Sequence, residues 1–129
     1  MDILIAKPQV EVDEAVKALV KEQTESCTIL HCRFLSEDTA IRIWLSTFLF
    51  EEDGKRKQLI KAFNISLMPQ WTLAKPVNNY IHFTLLFEGL SKTCSNFYML
   101  EDIPEPSGFY SEIISRNKTD VYQVEVYSK

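Results

Sequence analysis

The chain has 129 residues, 46% of them hydrophobic and 12% aromatic, so it can bury one continuous core. Eighteen acidic side chains outnumber fourteen basic ones, and the net charge of −4 disfavours nucleic acid and anionic membranes as partners. No apolar run approaches the roughly 18 to 20 residues that cross a bilayer. These limits predict one soluble domain over residues 1–129, with no membrane span.

The N-terminus and the cysteines predict a cytoplasmic location. Met1–Pro8 carries an apolar run that is too short for an export signal and an acid where a basic residue belongs. The three cysteines, Cys27, Cys32 and Cys94, are odd in number and too few for a disulfide framework. Reduced thiols are therefore expected, unless a leader peptide has been removed from the chain.

Residues 12–22 fit two secondary structures. Apolar side chains recur there at the i, i+3, i+4, i+7, i+8 spacing of an amphipathic helix: Val12, Ala15, Val16, Leu19 and Val20. Val10 and Val12 also alternate with polar neighbours, and a strand over residues 17–24 could form a hairpin with the strand that follows. Periodicity by itself favours the helix.

The next segments alternate polar and apolar residues with the period of two that is typical of β-strands. A first strand is predicted over residues 26–35 and a second over residues 40–45, paired with the first. Their inward side chains are Leu30, Cys32, Phe34, Ile41, Ile43 and Leu45. Residues 47–50 and 56–63 are predicted to form a hairpin around the turn at Asp53-Gly54.

The clearest strand signal is the segment Asn79–Gly89, which has one wholly apolar face. That face consists of Ile81, Phe83, Leu85 and Phe87. Residues 64–78 before it are predicted to be mostly connection, and a last strand near the C-terminus buries Tyr122, Val124 and Val126. Short strands separated by turns predict an all-β sandwich or a barrel.

Several strand and turn fragments resemble, in series, an uncharacterised bacterial β-sandwich domain that is often found ahead of thioredoxin-like modules. They cover roughly residues 20–103. The fragments are Thr28-Ile29-Leu30-His31, Ile41-Arg42-Ile43, Asp53-Gly54-Lys55, Phe83-Thr84-Leu85-Leu86-Phe87, Leu90-Ser91-Lys92, Phe97 and Leu100-Glu101. The resemblance implies an all-β, antiparallel, immunoglobulin-like sandwich of seven or eight strands. It would make residues 17–24 a strand, whereas periodicity makes the N-terminal segment helical.

The resemblance implies no catalytic residues and no cofactor. The chain lacks the Cys-x-x-Cys motif and the second module that would carry redox chemistry. Turns and a closing strand from Pro104 onward stand in place of that module. We therefore expect a protein that is not an enzyme.

A metal site or a Cys/His enzyme is the alternative from a different class. Cys27, His31, Cys32, His82 and Cys94 supply zinc-ligand donors. In a strand, Cys27 and His31 share a face but lie about 13 Å apart, and Cys32 points away, so these three do not fit one ion. A nucleophilic pair of Cys94 and His82 needs a third group to orient the histidine, and none is indicated. The favoured interpretation is structural cysteine, with solvated acidic turns rather than a calcium site.

Aromatic residues on predicted loops and on one strand face are the candidate binding residues. They are Trp71, Phe109 and Tyr110 on loops, and Tyr80 and His82 on the opposite face of the central strand. The favoured alternative for Trp71 and Phe109 is that they plug the open ends of the sandwich. The sequence thus predicts a non-catalytic binding or protein-interaction module, with another protein as the expected partner and a self-associating homodimer as a further alternative.

Overall fold

The computed structural model describes residues 26–36 and 40–129, and these ranges contain eleven β-strands and no helix. The strands are β1 Cys27–Leu35, β2 Ala40–Ile43, β3 Thr47–Glu51, β4 Arg56–Phe63, β5 Ser66–Leu67, β6 Thr72–Leu73, β7 Tyr80–Glu88, β8 Asn96–Glu101, β9 Phe109–Ser111, β10 Ile114–Ser115 and β11 Val121–Ser128. The predicted helix or strand at the N-terminus lies outside the described residues. None of the described residues belongs to a helix long and apolar enough to span a membrane.

Seven strands form a closed barrel in the order β8-β3-β4-β7-β1-β11-β9, and β9 returns to β8. The closing contact pairs Leu100 of β8 with Tyr110 of β9. Neighbouring barrel strands run antiparallel, except that β1 and β11 are parallel, with Ile29 beside Val121 and Phe34 beside Val126. The short β10 also pairs with β8, along the same edge of β8 that contacts β9.

The predicted immunoglobulin-like sandwich is therefore wrong, although the all-β class is confirmed. A sandwich has two separate sheets, whereas here the β8–β9 pairing makes one continuous sheet that closes on itself. Alternation along a strand records which residues face the core, and it is the same in a sandwich and in a barrel. The difference lies in which strands are neighbours, and periodicity does not carry that information.

The barrel interior contains the residues that the alternation placed inside. Ile81, Phe83, Leu85 and Phe87 of β7 are all buried, as are Tyr122, Val124 and Val126 of β11. A second, smaller apolar cluster lies on the outer side of the same wall and joins Cys27, Ile29 and Leu86 with Ile60 and Phe63. Strand β7 is consequently buried on both faces over residues 83–87.

Strand β2 does not pair with β1 as predicted. It lies at the centre of a separate three-stranded sheet in the order β5-β2-β6, while β1 pairs with β7 and β11. Ile41 and Ile43 of β2 join the barrel core, so the small sheet packs against the barrel interior. Leu45, predicted to be inward, lies in the turn after β2 and is 62% exposed. The segment 64–78, predicted to be mostly connection, contributes both edge strands of this sheet.

The predicted hairpin is confirmed. Strands β3 and β4 are antiparallel, and Phe50 faces Arg56 across the pair. Gly54 has a φ of 90°, a conformation that glycine adopts without strain, and its N–H donates to the Glu51 carbonyl at 2.9 Å.

Candidate functional site

A pocket of about 240 Å³ lies where the small sheet meets the barrel, and we call it the Trp71 pocket. Its walls are largely aromatic and aliphatic, and three charged side chains reach it. The lining residues include Phe34, Trp44, Trp71, Phe109, Arg42, Glu101 and Glu105. Arg42 and Trp71, 29 positions apart, and Phe34 and Phe109, 75 positions apart, meet here because β2 and β6 form a separate sheet beside the barrel.

Arg42 holds the indole of Trp71 in place. Its guanidinium carbon lies 4.1 Å from the centroid of the Trp71 ring, which is within the range of a cation–π contact. The same guanidinium donates to the Pro69 carbonyl at 3.4 Å and lies 3.5 Å from a carboxylate oxygen of Glu105. Trp71 is nonetheless 56% exposed, so a large aromatic surface faces solvent in a fixed orientation.

Glu101 forms the buried floor of the Trp71 pocket. Its carboxylate is 4% exposed and accepts hydrogen bonds from the backbone N–H of Trp44 at 2.9 Å and of Phe109 at 3.0 Å. Burial raises the pKa of Glu101, and these two donors counteract part of that rise. Both carboxylate oxygens are engaged with backbone, so Glu101 joins the β2–β3 turn to β9.

Phe109 and Tyr110 occupy different surroundings from Trp71. Phe109 is buried, and its ring centroid lies 4.9 Å from that of Phe34 and 5.8 Å from that of Phe83. It therefore belongs to the core beneath the pocket. Tyr110 is half-buried on the outer face of the barrel, 5.6 Å from the ring of Tyr127, so it does not reach the Trp71 pocket.

His82 lines a second and larger cavity, a groove of about 530 Å³ on the outer side of β7, β1 and β11, and Tyr80 lies at its border, in contact with the lining residue Glu125. The Tyr80 hydroxyl donates to Glu125 at 3.2 Å. Arg33 lies 4.4 Å from the centroid of the Tyr80 ring and donates to the other Glu125 oxygen at 3.0 Å. The five predicted binding residues are thus divided among the pocket, the core, an outer aromatic pair and this groove.

The cysteines and histidines do not converge. None of the three cysteines forms a disulfide, all three are buried, and burial raises the pKa of Cys32 and of Cys94. Cys94 packs in the barrel core, whereas His82 lies on the outer face, so the proposed Cys94–His82 pair is not formed. Within ranges 26–36 and 40–129, no three His, Cys, Asp or Glu side chains are grouped to hold a metal ion.

Arg42, Glu101 and the Arg33–Glu125 pair were not predicted from the sequence to be parts of these sites. Arg42 is 29 positions from Trp71 and Arg33 is 92 positions from Glu125, and each contact depends on strand neighbours that periodicity does not specify. Glu101 carried one weak signal, because a carboxylate at the end of an apolar strand that is followed by prolines is unusual in a simple solvated turn.

Comparison with known proteins found no matching protein family, no matching curated protein and no matching solved structure. The resemblance to the domain that precedes thioredoxin-like modules accordingly stays a prediction from the sequence fragments.

Proposed function

We propose that this chain is a non-catalytic protein-interaction module that binds another protein through the small sheet and the Trp71 pocket. The observation that carries the proposal is the exposure of Trp71 in an orientation fixed by Arg42. Tryptophan is the side chain most enriched among residues that dominate binding energy at protein interfaces. A ring that is already held in place loses little conformational entropy on binding.

Exposed apolar side chains are concentrated around Trp71. Among the described residues, eleven large hydrophobic side chains are exposed, and five of them fall within residues 67–77: Leu67, Met68, Trp71, Leu73 and Val77. Leu73 is 82% exposed and pairs with Ala40 of β2, which places it on the small sheet close to Trp71. Exposed apolar groups gathered in this way are typical of a surface that another protein covers.

The size of the Trp71 pocket also favours a protein partner. Pockets for small ligands and cofactors usually measure about 300–1,000 Å³. The Trp71 pocket, at about 240 Å³, is smaller and suits a single inserted side chain. Both oxygens of Glu101, the buried carboxylate of the pocket, already accept backbone hydrogen bonds.

Affinity capture from the lysate of the native host, followed by titration of the purified partner, tests the proposal. Trp71→Ala should weaken binding at least tenfold, and Leu73→Ala several-fold. Ile113→Ala is the matched control, because Ile113 is 73% exposed but lies between β9 and β10, outside the small sheet. Light scattering over a range of protein concentrations tests whether the partner is a second copy of the chain. It is, if the measured mass rises with concentration and Trp71→Ala abolishes that rise.

Two outcomes contradict the proposal. One is a partner whose affinity is the same for Trp71→Ala as for Ile113→Ala. The other is a large fall in melting temperature for Trp71→Ala, because loss of an exposed ring and one cation–π contact should cost no more than about 1 kcal/mol.

A further inference from the structure

The groove on the outer face of β7, β1 and β11 has a regular arrangement of polar side chains. Strand pairing places His31 of β1 between Thr84 of β7 and Gln123 of β11. Two residues further along, Arg33 lies between His82 and Glu125 in the same way. Standard strand geometry makes this floor about 10 Å wide across the three strands and about 7 Å from one row to the next.

Among the described residues that line this groove, none directs an apolar side chain into it. Cys32, Phe83 and Val124 lie in its floor, but their side chains belong to the barrel core on the other side of the wall. A protein partner needs apolar or aromatic anchors at the centre of its interface, and this surface supplies none. The groove therefore differs in kind from the Trp71 surface.

The charges of the groove cancel. Arg33 donates to Glu125 at 3.0 Å, and the Tyr80 hydroxyl donates to the second Glu125 oxygen at 3.2 Å. Because the cation and the anion lie side by side and both Glu125 oxygens are engaged, the pair gives the groove no net charge that would select an anionic or a cationic ligand.

Two amides and an imidazole in the groove are available for hydrogen bonding. Within the part of the chain that the structure describes, the side chains of His82, Gln123 and Asn64 have no hydrogen-bond partner, and all three line the groove. Each amide, and a neutral imidazole, offers both donors and acceptors. A ligand that matches these side chains must itself donate and accept hydrogen bonds at several closely spaced atoms. A set of adjacent hydroxyl groups has this property.

From this geometry we infer that the groove binds a neutral saccharide. The cavity of about 530 Å³ lies within the usual size range of small-ligand sites and accommodates a mono- or disaccharide. His82 and Gln123, which stand in different rows and on the two outer strands, bind its hydroxyl groups, and Asn64 binds it from the end of β4.

Titration of ¹⁵N-labelled protein with glucose, galactose, mannose, maltose, cellobiose and lactose, followed by amide chemical shifts, tests the inference. At least one sugar should shift amides of β1, β7 and β11 near the groove. His82→Ala and Gln123→Ala should each weaken that binding by about threefold to tenfold, the effect of one neutral hydrogen bond. Gln58→Ala is the matched control, since it removes an exposed amide on β4 outside the groove.

The same titration separates this inference from the proposed protein interaction. Trp71→Ala should leave sugar binding unchanged, because Trp71 lines a different cavity. Absence of shifts with every sugar at high millimolar concentration overturns the inference. Shifts with inorganic phosphate or with trialanine, but with no sugar, also overturn it, because the groove would then select an anion or a peptide backbone.

Discussion

Arg116→Ala should destabilise the fold more than removal of any exposed arginine. Arg116 forms a two-point contact with Asp120, from Nε to Oδ1 at 3.2 Å and from Nη2 to Oδ2 at 3.1 Å. It also donates to the carbonyls of Ser91 and Cys94, and so fastens the loop between β7 and β8. The pKa of Arg116 is raised, chiefly by its hydrogen bond to Asp120, which agrees with a favourable charged pair.

The expected magnitude follows from burial. The side chains of Arg116 and Asp120 are only 22% and 15% exposed. Breaking a fully buried ion pair costs about 3–5 kcal/mol, and partial solvent access lowers this to about 2–4 kcal/mol. For a chain of this length, such a loss lowers the melting temperature by roughly 10 °C.

Urea denaturation of Arg116→Ala and Arg33→Ala provides the assay. Arg33 pairs with Glu125 through a single contact and its side chain is 51% exposed, so its loss should cost no more than about 1 kcal/mol. Asp120→Asn tolerates the positive φ of 56° at that position and completes a double-mutant cycle, with an expected coupling of about 2 kcal/mol. Equal losses for the two arginine variants, or a coupling near zero, would refute the reasoning.

Three further predictions concern the core and its edges. Phe109→Ala should lower the free energy of unfolding by about 3–5 kcal/mol in urea denaturation, because the ring is buried against Phe34 and Phe83; a loss below about 1 kcal/mol would contradict its place in the core. Burial raises the pKa of Tyr122 from 10 to about 12, so the unfolded chain loses the phenol proton at a lower pH than the folded chain does. The free energy of unfolding should therefore fall between pH 10 and pH 12. In melting temperatures measured against pH, Tyr122→Phe should make that fall smaller. Gly108→Ala should cost about 1–3 kcal/mol in thermal unfolding, because its Cβ would lie 2.7 Å from the Glu101 carbonyl oxygen, and an unchanged melting temperature would show that the loop moves freely.

The sequence predicted individual strands better than their arrangement. The inward residues of β7 and β11 were identified because a half-buried strand must alternate. The parallel pairing of β1 with β11 joins residues about 92 positions apart and leaves no local pattern in either strand. Leu45 fitted the alternation of β2 but lies beyond its end, where Glu101 accepts a hydrogen bond from the Trp44 N–H and the chain turns.

The candidate sites were predictable as residue types but not as groups. Trp71, Tyr80 and His82 were identified from their position on a loop or on the polar face of a strand, and both properties are local. Their partners Arg42 and Arg33 looked like ordinary solvated positions of alternating strands. Each arginine becomes part of a site only because the fold brings a distant residue beside it. The Arg42 guanidinium carbon lies 4.1 Å from the centroid of the Trp71 ring, and Arg33 Nη2 lies 3.0 Å from a Glu125 oxygen.

The two surfaces are built on elements of different length. The groove rests on β7, β1 and β11, whose backbones are paired along most of their length, so its polar groups are held at fixed spacing. Trp71 precedes a strand of only two residues, and its loop depends on local contacts such as the hydrogen bond between Ser66 and Thr72 at 2.7 Å. Fixed spacing of polar groups suits a small ligand that must match several hydrogen bonds at once, whereas a positioned tryptophan ring surrounded by exposed apolar side chains suits a protein partner. Neighbouring residues of β1, Arg33 in the groove and Phe34 in the Trp71 pocket, point to opposite sides of the wall, so one strand separates the two surfaces.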